Sequence, residues 1–185
     1  MHEHHECDNF CGDMLQVSKS APAFEENALV DGKVKKIRLA DYKGKWVVLF
    51  FYPEDFTFVC PTEIRGFAKA EKEFAKHNAV VIGASTDSTH SHKAWFERDL
   101  PEVQFPVLAD TAHVVSDAYG VLLEGRGIAL RGTFIIDPEG ILQYQVISNL
   151  NVGRSVAETL RVLEALQTGG LCPVEWHEGD KTLNT

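Results

Sequence analysis

The chain has 185 residues, 44% hydrophobic and 24% charged, with a formal net charge of −9. That length suits one domain with a sizeable core and is short for two. The acidic balance argues against nucleic acid and anionic membrane surfaces, and the lack of any apolar run of about 18 residues argues against a transmembrane helix.

Residues 1–13 are polar and rich in His and acid, which marks them as a mobile arm. They contain no apolar signal core, so a cytoplasmic location is the default expectation. Asp31-Gly32 signals a hairpin between residues 27–30 and 33–37. Lys43-Gly44-Lys45 turns into Trp46–Tyr52, a run apolar on both faces, as in the central strand of a covered sheet. Ile64, Phe67, Ala68, Ala70, Glu71 and Phe74 recur with helical spacing.

Residues 80–85 form the next buried strand, and Ser88-Thr89-His90 opens a helix running through Glu97. Phe105–Ala109 is a short strand with Pro106 near its start or on an edge. Ala112–Tyr119 is a short helix stopped by Gly120. Residues 131–137 and 141–147 are strands joined by a Pro138-Glu139-Gly140 turn. Ser155–Leu166 is amphipathic, with Val156, Leu160, Leu163 and Leu166 on one face, and Gly169-Gly170 ends it. The remaining tail is loop-like. Alternating strands and helices, followed by a hairpin and a helix, predict a three-layer α/β domain with a mixed sheet.

The chain has four cysteines, Cys7, Cys11, Cys60 and Cys172, too few for a disulfide scaffold. Cys60 stands between the apolar run and the first long helix, in the stretch Pro53-Glu54-Asp55-Phe56-Thr57-Phe58-Val59-Cys60-Pro61-Thr62-Glu63. A thiol attacks as thiolate, and a helix start favours negative charge. Pro61 suits the first helical position, which places Cys60 at or beside the N-cap with its sulfur facing unpaired N–H groups. The plainer account is a buried core thiol.

Pro53, Thr57, Cys60 and the following Pro61-Thr62-Glu63 resemble the active-site motif of peroxiredoxins. Leu130-Arg131-Gly132-Thr133-Phe134 is similar to their arginine strand. Cys172-Pro173, with Trp176 beyond, resembles the resolving-cysteine segment of the typical two-cysteine group. Within the family the chain most resembles the peroxidase subunit of alkyl hydroperoxide reductase. The resemblance covers residues 15–183. It implies a thioredoxin-like fold with a mixed central sheet flanked by helices, and no metal or organic cofactor. Residues 1–13 are then an N-terminal arm, 14–168 the peroxidase domain and 169–185 the resolving-cysteine tail.

The resemblance also implies roles. Cys60 is the peroxidatic thiol and Cys172 the resolving thiol, with the disulfide between them crossing a homodimer. Arg131 holds thiolate and peroxide, whereas a solvated strand-end arginine is its plainer account. Thr57 hydrogen-bonds peroxide and sulfur, or caps loop backbone. Pro53 shields the sulfur, or simply ends the strand. Glu63 orients the arginine, or favours the helix start; the residues do not separate the two. Hydroperoxides are the implied substrates. Thioredoxin, a flavoprotein or a similar disulfide reductant is the implied partner, and five dimers the implied ring. The Gly-Gly-Leu-Gly insertion and C-terminal Tyr-Phe pair of family members sensitive to excess peroxide are missing, so resistance to overoxidation is expected.

Other readings differ in class. A dithiol–disulfide oxidoreductase needs Cys-x-x-Cys, and position 63 is Glu. A ring-forming holdase with regulatory cysteines suits the composition. A metal-handling role rests on His2, His4, His5, Cys7 and Cys11, whose spacing is weak evidence without a rigid frame.

Overall fold

The structure is a computed structural model and describes residues 15–183; the arm candidates His2, His4, His5, Cys7 and Cys11 lie outside the described residues. Among the described residues, nine strands and four α-helices follow in chain order. They are β1 (Glu25–Val30), β2 (Lys33–Arg38), β3 (Trp46–Phe51), α1 (Cys60–Lys76), β4 (Ala79–Ser85), α2 (Thr89–Asp99), β5 (Val107–Ala109), α3 (Val114–Ala118), β6 (Leu122–Leu123), β7 (Ile128–Ala129), β8 (Arg131–Ile136), β9 (Leu142–Ser148) and α4 (Val156–Gln167). None of these helices is long and apolar enough to cross a membrane.

Seven strands form one mixed sheet in the order β2-β1-β5-β4-β3-β8-β9. β3 pairs parallel with β4 and antiparallel with β8, so it is central, as its apolar run requires. Its side chains alternate between faces. Val48, Phe50 and Tyr52 enter one core, while Val47, Leu49 and Phe51 enter the other. The first core is roofed by α1, α2 and α4 through Ile64, Phe67, Phe74, Trp95, Phe96 and Leu163. Phe67 stacks on Phe50 with ring centroids 4.2 Å apart. Burying each such side chain contributes roughly 1.5–3 kcal/mol.

The second core is covered by the short α3 and the β6–β7 hairpin, with Val115, Tyr119, Val121 and Ala129 packed onto Phe51 and Phe134. The two faces are therefore unequal: three long helices lie on one, and a five-residue helix with a hairpin on the other. The β6–β7 hairpin is not legible in the sequence, because two-residue strands carry no period. Pro106 immediately precedes β5, which sits inside the sheet between β1 and β4. The strand-start account of Pro106 holds and the edge account does not.

Local signals act as expected at the turns. Asp31 and Gly32 both take positive φ (49° and 69°), the pairing a two-residue hairpin requires. Ser88 and Ser155 cap α2 and α4 by accepting from the N–H of Ser91 and Glu158. Among the described residues, the tail after α4 has no helix or strand, yet it is fastened. Trp176 is buried, its indole donates to the Asp180 carbonyl, and Arg161 donates to the Trp176 carbonyl.

Candidate active site

The turn from β3 to α1 is held by groups distant in sequence. Asp55 is buried; its backbone N–H donates to the Asp87 carboxylate at 2.9 Å. Its side chain accepts from the Tyr52 hydroxyl at 2.9 Å and lies 2.8 Å from His92 Nδ1. His92 Nε2 faces the Leu108 carbonyl at 3.1 Å, so that nitrogen carries a proton. Phe56 adopts φ +57°, an uncommon conformation for a bulky residue. Its ring is gripped between Trp95, at 5.8 Å, and the Arg98 guanidinium, at 4.8 Å. A strained residue held by its surroundings is a common feature of functional turns. Pro53, directly after Tyr52, is buried in the same turn.

Cys60 is the first residue of α1 and is fully buried. Val59 is the N-cap, in helical geometry, and Pro61 is the second helical residue. This corrects one detail of the sequence expectation. Pro61 has no N–H, and the amides of Thr62 and Glu63 donate to the Val59 carbonyl. The sulfur's partner is instead Arg131, whose Nη1 approaches Sγ to 3.5 Å. The helix start still contributes its positive end.

Arg131 reaches the sulfur because of sheet register. The antiparallel pairing of Phe50 with Thr133 brings the first residue of β8 to the end of β3 where the turn departs. Gly132 permits this packing: a Cβ there would lie 2.6 Å from Val121 and 2.7 Å from Phe134. Arg131 is buried, not a solvated strand-end cation. Its Nε donates to the Leu150 carbonyl, and its Nη1 pairs with the Glu63 carboxylate.

Glu63 joins two cations. Besides Arg131, its carboxylate accepts from Arg154 Nε at 2.7 Å, Nη2 at 3.1 Å and the Arg154 backbone N–H at 2.9 Å. Burial alone would raise the Glu63 carboxyl, but hydrogen bonds and charge from Arg154, then charge from Arg131, outweigh it and leave it below its ordinary value. Burial pulls Arg154 down against the opposing pull of Glu63, yet a guanidinium stays protonated throughout the ordinary range. Arg154 also donates to the Gly132 carbonyl and lies over the Phe50 ring. Glu63 thus touches both guanidinium groups and is also the acidic residue of the first turn of α1.

Arg154, Asp55, Asp87 and His92 were not singled out from the sequence. Arg154 precedes the Ser155 cap and looks there like an ordinary solvated charge. Nothing local to it announces a partner 91 residues away. Thr57 is half-buried and its hydroxyl donates to the Glu54 carbonyl at 3.0 Å, the backbone-capping arrangement. Its oxygen keeps acceptor capacity. A hollow of about 250 Å³ beside it is lined by Phe56, Thr57, Pro61, Arg65, Trp95 and Arg98.

Cys172 is half-exposed beyond α4, with Sγ 3.6 Å from the Ala165 carbonyl and 3.4 Å from the Thr168 hydroxyl. Both described cysteines are free thiols.

The AhpC/TSA family model matches residues 17–145. Peroxiredoxin tpx1 of Schizosaccharomyces pombe is 52% identical over 180 residues, spanning 92% of this chain and 94% of that protein. The reduced 2-Cys peroxiredoxin of Plasmodium vivax superposes with a TM-score of 0.86 at 36% identity, covering 90% of this chain and 91% of that one. AhpC of Enterococcus faecalis gives a TM-score of 0.82 at 35% identity, covering 85% and 98%. The thioredoxin-like peroxiredoxin fold expected from the motifs is the fold these relatives share. With a buried thiol paired to an arginine, and these likenesses running over nearly the whole molecule, the chain belongs to the AhpC/TSA family and is a two-cysteine peroxiredoxin, a thiol-specific peroxidase.

Proposed function

We propose that the chain reduces hydrogen peroxide and small alkyl hydroperoxides, with Cys60 as nucleophile and Cys172 as resolving thiol. The observation that carries this reading is the 3.5 Å contact between Arg131 Nη1 and Cys60 Sγ in a fully buried site. A fixed guanidinium stabilises the thiolate and the alkoxide that develops as the O–O bond breaks. Cys60 S⁻ attacks the terminal oxygen of ROOH. The S–O bond forms, the O–O bond breaks, the transferred oxygen keeps its hydrogen, and RO⁻ leaves and takes a proton from solvent, giving sulfenic acid and ROH. The Thr57 hydroxyl hydrogen-bonds the hydroperoxide and the sulfur, and Pro53 keeps water from the sulfur. Full burial of Cys60 favours small peroxides that enter by the hollow beside Thr57 and Pro61.

The Cys172 thiol then condenses with the sulfenic acid to a disulfide and water. A dithiol partner such as thioredoxin, or a flavoprotein-linked disulfide reductant, returns both thiols. For the sulfur to meet Cys172, the first turn of α1 unwinds.

The two edges of the sheet support a homodimer. β2 is guarded by Lys33, Lys35 and Lys36, as exposed edges commonly are. β9 is the other edge and carries no charge, with Val146 and Ile147 exposed. Pairing of two β9 edges is the isologous contact this favours. Exposed Phe56 and Phe58, on the Cys60 turn, offer a second self-contact for a ring of five dimers. α2 passes to β5 without a long insertion, which favours disulfide formation over overoxidation. A cytoplasmic location suits this chemistry, because reduced thiols persist there.

Non-reducing electrophoresis after one equivalent of peroxide tests the pairing. Wild type should run as a disulfide-linked dimer, and Cys60→Ser and Cys172→Ser as monomers. An intrachain disulfide in wild type would refute the intersubunit bond. Peroxide consumption unchanged in Cys60→Ser would refute the whole reading and favour a holdase or scaffold.

A further inference from the structure

Away from the Cys60 site, three metal-ligating side chains from three separate segments converge. His77 caps the C-terminus of α1, Glu164 lies on α4, and Glu178 lies on the tail beyond Cys172. One ligand atom from each falls within 4.8 Å of the other two. They line a hollow of about 270 Å³ with Gln167, Thr168 and Trp176.

The imidazole is oriented for coordination. Gln167 Nε2 donates to the His77 carbonyl at 2.6 Å, which fixes the amide and turns its Oε1 toward His77 Nδ1, at 3.2 Å. Nδ1 therefore carries the proton and donates to Gln167. Nε2 is left facing Glu164 Oε1 at 3.4 Å. In the neutral ring that nitrogen is a lone pair aimed at a carboxylate oxygen, an arrangement that needs a proton or a metal cation between them. A ring nitrogen tied to an acceptor while the other faces carboxylates is the usual support of a metal-bound histidine.

Glu164 is half-buried on α4. Glu178 stands at the corner of a turn closed by its own hydrogen bonds. Asp180 N–H donates to the His177 carbonyl, His177 N–H donates to the Asp180 carboxylate, and Gly179 has φ +94°.

We propose that His77, Glu164 and Glu178 form a zinc site that fastens the tail after Cys172 to the adjoining ends of α1 and α4. One imidazole nitrogen and two carboxylates suit zinc, with water completing a tetrahedron. The site joins the tail to the body beside Trp176, so its occupancy stiffens the segment that carries Cys172. The proposal does not depend on the peroxidase chemistry.

Isothermal titration of the reduced full chain with zinc sulfate tests it, with Glu178→Gln as the variant, since Glu178 is exposed and its replacement leaves the core intact. Zinc taken up by thiols or by the N-terminal arm is common to both proteins and cancels. Glu178→Gln, and separately His77→Gln, should bind one equivalent fewer than wild type. Hydrogen exchange over residues 171–183 should slow with zinc in wild type and not in Glu178→Gln. Equal zinc stoichiometry in wild type and both variants would overturn the proposal and leave a protonated His77 as the cation between the carboxylates.

Discussion

The two described thiols sit in opposite surroundings. Cys60 is fully buried at the start of a helix, with a guanidinium against its sulfur and a carboxylate fixing that guanidinium. Cys172 is half-exposed, and its sulfur lies against a backbone carbonyl and a hydroxyl. The contrast suits the two tasks proposed for them. A nucleophile that opens an O–O bond needs preorganised positive charge in a site that does not reorganise. A thiol that condenses with a sulfenic acid needs access and a segment that can travel. Cys60 stands in a buried network of charged groups, and Cys172 on a tail fastened in part through Trp176.

The strongest way to break this comparison is to exchange serine for each thiol in turn. Cys60→Ser should lower peroxide consumption by on the order of 10³-fold or more. Cys172→Ser should still consume one equivalent of peroxide at the wild-type rate and then stop. Stopped-flow traces of both variants check this; equal first-turnover loss in the two would show that the sites are not specialised.

Arg131→Met removes the cation from the sulfur and should slow the first oxidation by about 10²–10³-fold, the usual cost of losing one donor to a developing anion. Alkylation of Cys172 by iodoacetamide should be unchanged in that variant.

Glu63→Gln leaves two guanidinium groups buried together with one neutral partner. Breaking a buried pair in this way costs about 3–5 kcal/mol, which urea unfolding would read. The same carboxylate gives stability a pH dependence. Its folded value lies below its ordinary 4.5, so its contribution is complete above about 4.5 and is lost as the pH falls through the lower folded value. Urea midpoints measured from neutral pH down to strongly acidic pH should fall more steeply in wild type than in Glu63→Gln.

The smallest effect is expected at the other thiol. The Thr168 hydroxyl donates to the Ala165 carbonyl, accepts from Gly170 N–H and touches Cys172. Thr168→Val should cost about 1 kcal/mol or less and speed alkylation of Cys172, with no change at Cys60.

Much of this was open to a reading of the chain alone. β3 announces itself by apolar residues on both faces, the 31–32 hairpin by its turn pair, and α4 by Val156, Leu160, Leu163 and Leu166. Cys60, Arg131 and Cys172 stand in motifs that point to their family. These signals are local: a period, a cap or a turn is written within a few residues, because it follows from backbone geometry. The site's cohesion is not local. The contacts of Glu63 with Arg131 and Arg154 span 68 and 91 residues, and that of Asp55 with His92 spans 37. Only the register of β8 on β3 and the packing of α1, α2 and α4 bring those groups together. For the same reason a buried ion pair is invisible in a string of residues: each partner alone has the look of a surface charge, and only the folded chain removes the water that would otherwise solvate it.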